Sequence, residues 1–131
     1  MYSKECQKNE VLSDVNQGTK MTDNGWVSNV TSFNSNYEGK CGTQTWFGWW
    51  GGSPVGAISS TLKGSGMATL VFGNCNSVGY VSAYLNDKVV GKAKASIKKM
   101  TVAFDFSKGD VLTVAEFETS IIKLNAIAFK C

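Results

Sequence analysis

The residues best equipped for chemistry lie in TQTWFGWW, Thr43 to Trp50, where Trp46, Phe47, Trp49 and Trp50 are crowded into one short run. In an extended strand Trp46 and Trp50 share a face with Gly48 between them, while Phe47 and Trp49 share the other. Both sets cannot enter one core. Each aromatic side chain carries about 150–250 Å², so what is not buried needs a partner or stands as an apolar patch. Flat rings offer a surface for the axial C–H groups of a saccharide. Gln44, Asn74 and Asn76 would be the flanking donors and acceptors, and the turn Gly51-Gly52-Ser53-Pro54 would let a ligand approach the backbone. The same patch could instead hold a small apolar ligand or a neighbouring subunit, and the alternative to any ligand is that one set of rings is core and nothing more.

The other candidates are ionic. Lys88, Lys92, Lys94, Lys98 and Lys99 form a cluster in which Lys92 and Lys94 point the same way on a strand, a stripe suited to sulfated or acidic polysaccharide. Lysines also protect edge strands against sheet-to-sheet pairing, which explains them without a ligand. Glu116 and Glu118 lie two apart, but adjacent residues of one strand seldom flank a cleft as hydrolytic carboxylates must. With Asp105 and Asp110 they could hold Ca²⁺ through oxygen, although no ligand-spaced loop marks such a site; otherwise no cofactor is expected. The chain has no His, which removes Ser-His-Asp and Cys-His nucleophile pairs and histidine-bound zinc. All its basic residues are Lys, so bidentate reading of guanine is absent and sequence-specific nucleic-acid recognition is not expected. The expectation is a protein that binds and does not catalyse.

Cys6, Cys41, Cys75 and Cys131 contain no CxxC pair. Metal ribbons and redox motifs need close pairs, so two long-range disulfides in an oxidising compartment fit better than four buried cytosolic thiols. Asn29-Val30-Thr31 is a glycosylation sequon. MYSKECQKNE lacks the apolar stretch of a signal peptide, so secretion implies a processed chain. No apolar run approaches the ~20 residues that span a bilayer.

To position these residues the chain offers short strands. At 131 residues, 43% hydrophobic and 18% charged, residues 1–131 are expected to form one domain with its own core, the first 25 being a largely irregular arm with one strand near Val11 to Val15. Period-two alternation marks strands at Trp26 to Phe33, Thr43 to Trp50, Val55 to Leu62, Met67 to Phe72, Val78 to Leu85, Lys88 to Lys94, Met100 to Phe106, Val111 to Phe117 and Ile121 to Phe129. Asn34 to Gly39 reads as a loop. The strands on either side of Cys75 and the one after Asn86-Asp87 suggest three neighbours in one antiparallel sheet, and Ser107 to Asp110 suggests a turn between adjacent strands. The fold class is all-β, an antiparallel β-sandwich.

From Thr61 onward, about half the chain resembles the second half of galactose-binding-domain-like jelly rolls, the group that includes discoidin-type domains, fucose lectins and many carbohydrate-binding modules. LKGSGMATLVFGNC (Leu62 to Cys75), GYVSAYLNDKVV (Gly79 to Val90), VAFDFSKGDVLTVAE (Val102 to Glu116) and IIKLNAIAF (Ile121 to Phe129) carry the likeness. It implies a jelly roll whose terminal strands lie side by side, hence the pairs Cys6–Cys131 and Cys41–Cys75. Together with the cysteines and the sequon it makes a secreted, lectin-like protein the expectation, and the aromatic run then supplies the carbohydrate site: Trp46, Trp49, Trp50, Gln44 and Asn74. The alternative is an extracellular structural or ligand-carrying protein that uses the same patch. The Arg and His residues with which fucose lectins hold their sugar have no counterpart, so any sugar contact here uses other groups.

Overall fold

A computed structural model of the chain describes residues 6–11, 23–28, 35–37, 44–46, 57–74, 80–94, 100–117 and 122–131. Among them are β1 (Glu10–Val11), β2 (Val27–Ser28), β3 (Ser35–Tyr37), β4 (Gln44–Trp46), β5 (Ala57–Thr61) and β6 (Gly66–Asn74). Then follow β7 (Tyr80–Leu85), β8 (Lys88–Lys94), β9 (Met100–Phe106), β10 (Val111–Phe117) and β11 (Ile122–Lys130). One antiparallel sheet has the order β1-β11-β6-β9, the second β2-β5-β10-β7-β8, and β3 pairs with β4 in a ribbon of two. With β2 set aside, β1 and β5 to β11 wind between the two sheets in the order of a jelly roll.

Alternation decides which side chains meet between the sheets. Ala68, Leu70 and Phe72 of β6 are buried with Ile127 and Phe129 of β11 and Phe106 of β9; Ile58, Val81, Ala83, Leu112 and Val114 face them from the other sheet. The Phe106 and Phe129 rings meet edge to face, with centroids 5.7 Å apart, the arrangement their quadrupoles favour. Trp26, just before β2, is also core.

Two expectations about connectivity are corrected. β6 does not join β7 and β8 in one sheet; it lies between β11 and β9, so the chain changes sheets between Asn74 and Tyr80. Likewise Ser107 to Asp110 links β9 and β10, which belong to different sheets. Of the connections between successive strands β5 to β11, only β7–β8 joins partners of one sheet. Its turn residues Asn86 and Asp87 have φ of 51° and 70°, as a two-residue hairpin requires. A third correction concerns Asn34 to Gly39, where Ser35–Tyr37 is strand β3, with Tyr37 opposite Gln44 and Ser35 opposite Trp46. Ladder pairing overrides the weak strand preference of Ser and Asn.

The arm is pinned at several points. Cys6 and Cys131 form a disulfide with Cα atoms 5.9 Å apart, as the side-by-side terminal strands imply, and β1 pairs with β11 through Glu10 opposite Ile127. The expected strand near Val11 to Val15 thus begins at Glu10; residues 12–15 lie outside the described part. Asn9 Oδ1 accepts from the Phe129 amide at 2.7 Å. Gln7 Nε2 donates to Ser60 Oγ at 3.0 Å and to the Asn24 carbonyl at 3.2 Å.

Candidate functional site

With Val81 and Ala83 turned into the core, the residues between them on β7 must face outward. Register then sets their neighbours. Val27, Ser59, Thr113, Tyr84 and Val89 line up in one row across all five strands. Beside it runs Ala57, Ala115, Ser82 and Lys92, and beyond that Phe117, Tyr80 and Lys94. The middle row is a floor of small side chains. Ser82 and Ala115 are only 1% and 5% exposed although they lie on the outer face. Tyr80 and Tyr84 stand on either side of Ser82, about 13 Å apart along the strand.

A bulge completes this face. The register of β8 slips between the partners Ala83 and Tyr84, leaving Val90 as the extra residue. Strict alternation from buried Ala93 would turn Val89 inward; the bulge turns it out beside Tyr84, where it is 59% exposed. Gly91 then faces the core, and a Cβ there would lie 2.8 Å from Val102 Cγ1 and 3.1 Å from Phe72 Cζ.

The charge on this face is one-sided. Lys92 Nζ sits 4.0 Å from the centroid of the Tyr80 ring, a cation–π contact, and Lys94 is opposite Tyr80 in the register. Among the described residues of the three rows there is no Asp or Glu. The face therefore carries two ring systems, the hydroxyls of Ser59 and Thr113, and two ammonium groups. Such groups can stack against a flat ring face and exchange hydrogen bonds with hydroxyl or anionic groups.

The residues expected to form the site are placed as follows. Gln44 and Trp46 belong to β4, which runs close to β11. Asn74 ends β6 opposite Ile122, also on β11, so these three border the same strand of the four-stranded sheet. Trp49, Trp50, Phe47 and Asn76 lie outside the described residues, as do Asn29, Cys41, Cys75 and Glu118. Glu116 is opposite Val81 on β10. Asp110 is engaged within a turn: its Oδ1 accepts from Asn86 Nδ2 at 2.8 Å and its Oδ2 from the Ser107 amide at 2.8 Å. Those bonds, the Asn86 one foremost, hold its carboxyl below the usual range. Asp105 is exposed on β9. Among the described residues no three of His, Cys, Asp and Glu gather as a metal site. A concavity of about 210 Å³ opens beside the arm, lined by Cys6, Gln7, Lys8, Asp23, Asn24 and Lys63.

The tyrosine face was the part that the sequence reading passed over as a site. Its signal was present in Tyr80, Ser82 and Tyr84 at period two, but only the pairing of β7 with β10 and β8 shows what surrounds them.

No protein-family model matches the chain, and no curated protein matches it in sequence. Among solved structures it is similar to a family 35 carbohydrate-binding module from Clostridium thermocellum, with 11% identity and a TM-score of 0.46 over 81% of this chain and 89% of that one. It is also similar to a cycloisomaltooligosaccharide glucanotransferase of Paenibacillus sp. in complex with cycloisomaltoheptaose, with 13% identity and a TM-score of 0.41 over 98% of this chain and 19% of that one. A third is the catalytic unit of a GH87 alpha-1,3-glucanase from Streptomyces thermodiastaticus strain HF3-3, at 12% identity and a TM-score of 0.36, covering 57% of this chain and 18% of that one. The chain thus spans less than a fifth of the length of the two enzymes.

Proposed function

We propose that this is a secreted, non-catalytic protein that binds carbohydrate on the outer face of its five-stranded sheet. The observation that carries the reading is the arrangement of Tyr80 and Tyr84 on either side of the sheltered Ser82–Ala115 floor, with hydroxyl and ammonium donors in the same rows. Sugar rings lay their C–H faces on aromatic rings and their hydroxyls on such donors. Each stacking contact contributes about 0.5–1.5 kcal/mol beyond area burial, so affinity for a single unit is weak and repeated units on a polymer raise it. The disulfide Cys6–Cys131 is in keeping with an oxidising compartment, and in this reading Cys41 and Cys75 form the second bridge and Asn29 carries a glycan. The aromatic run Thr43 to Trp50 is a second contact surface, with Gln44, Trp46, Trp49, Trp50 and Asn74 around a neutral sugar.

The test is a screen of immobilised glycans with and without Ca²⁺, repeated with Tyr84→Ala and Trp49→Ala. Tyr84→Ala lowers the signal to what the aromatic run alone retains while its thermal unfolding stays near that of the parent, and Trp49→Ala lowers it less. If the screen is blank, or if the parent turns over a glycoside, the reading is wrong.

A further inference from the structure

We propose that the outer face of the five-stranded sheet selects an anionic saccharide, with the carboxylate or sulfate of one sugar unit held by Lys92 and Lys94 and an adjoining ring laid on Tyr84. This rests on the carbohydrate reading above and names its ligand class. Lys92 and Lys94 are two apart on β8 and lie on the same outward face, opposite Ser82 and Tyr80. Residues so placed have their Cα atoms about 7 Å apart, within reach of a single anionic group. Lysine acts on such a group as a mobile point charge, indifferent to whether the oxygens belong to a carboxylate or a sulfate.

β8 is the edge of the five-stranded sheet, where lysines discourage sheet-to-sheet pairing, but that role alone does not call for two lysines on one face beside a ring. β9 is the edge of the other sheet, yet its exposed positions are Thr101, Ala103 and Asp105, with no lysine among them. Nor does the Lys92 ammonium stand off in water as a solubilising charge would. It is held 4.0 Å over the Tyr80 ring, at the side of the sheltered floor. The described residues of these rows include no Asp or Glu, so among them the two ammonium groups are the only charges.

Calorimetric titration of the intact chain separates the outcomes. The probes are an oligogalacturonate for the carboxylate source, a chondroitin sulfate oligosaccharide for the sulfate source, a neutral xylo-oligosaccharide and an oligoglutamate as a non-sugar polyanion. At least one anionic saccharide should bind. Lys92→Gln and Lys94→Gln should each weaken it about fivefold, the range of an exposed ion pair; Lys92→Arg should restore binding, and Lys63→Gln, on a residue outside these rows, should leave it unchanged. Unaltered melting of each variant shows that the fold persists. Equal affinity for oligoglutamate means that charge alone is recognised, and the inference falls. A neutral oligosaccharide bound as tightly and indifferent to both Gln variants overturns the anionic class but leaves the carbohydrate reading standing. If no saccharide binds at all, both fall together.

Discussion

Gly91 shows how little slack the sandwich has where β8 crosses the core. A methyl group there would meet Val102 Cγ1 and buried Phe72, neither of which can swing away like the end of a long side chain. Gly91→Ala should therefore destabilise by about 1–3 kcal/mol, read from urea unfolding; an unchanged midpoint would mean that the sheets are farther apart than the structure has them. Asp110 makes a different claim, one about pH. Hydrogen bonds from Asn86 and the Ser107 amide lower its folded pKa, so its contribution is complete above the ordinary carboxylate pKa of about 4 and is lost as pH falls through the lower folded value. The stability gap between the parent and Asp110→Ala should then be constant near neutrality and shrink in acid. A gap that widens on acidification would contradict the assignment.

At the scale of elements, the terminal strands are joined both by pairing and by the Cys6–Cys131 bridge, whose cysteines are 125 residues apart. In the chain-entropy model a loop of that length stabilises by about 5 kcal/mol, so Cys6→Ser with Cys131→Ser should lower the melting temperature well outside error. Equal melting would show that strand pairing alone holds the ends. The jelly-roll corner is fixed by Leu62, whose amide donates to the Asp110 carbonyl at 2.7 Å while its own carbonyl accepts from Gly109 at 3.0 Å. That contact is between segments more than forty residues apart, and it marks the limit of what could be read from the chain. Strands such as Lys88 to Lys94, Met100 to Phe106 and Val111 to Phe117 have the bounds that alternation gives, because period two is local. Which strands pair was not local. The run around Cys75 read as a meander, since a connection that crosses the sandwich looks like one that turns back beside its own strand. Bulges were equally hidden: nothing in KVVGKAK announces that Val90 is the extra residue and Val89 the exposed one. For the site, the facing of Tyr80, Ser82 and Tyr84 was legible, and the lysines were read as a stripe, but their union with Ser59, Thr113 and Ala115 depends on cross-strand register.

The molecule as a whole is a jelly roll with an N-terminal arm tied to its last strand and one outward face that carries rings, hydroxyls and two lysines. Secretion predicts that native protein yields a Cys41–Cys75 peptide on non-reducing mapping; finding both as free thiols would remove that part of the reading. The central claim is that the outer face of the five-stranded sheet is the sugar site, and the most direct measurement is a titration of ¹⁵N-labelled protein with the strongest glycan from the screen, followed through its backbone amide shifts. The account predicts that perturbed amides gather on β7, β8 and β10 around Tyr80, Ser82, Tyr84, Lys92 and Thr113. Shifts confined to β4 and β11, or none at saturating glycan, would contradict it.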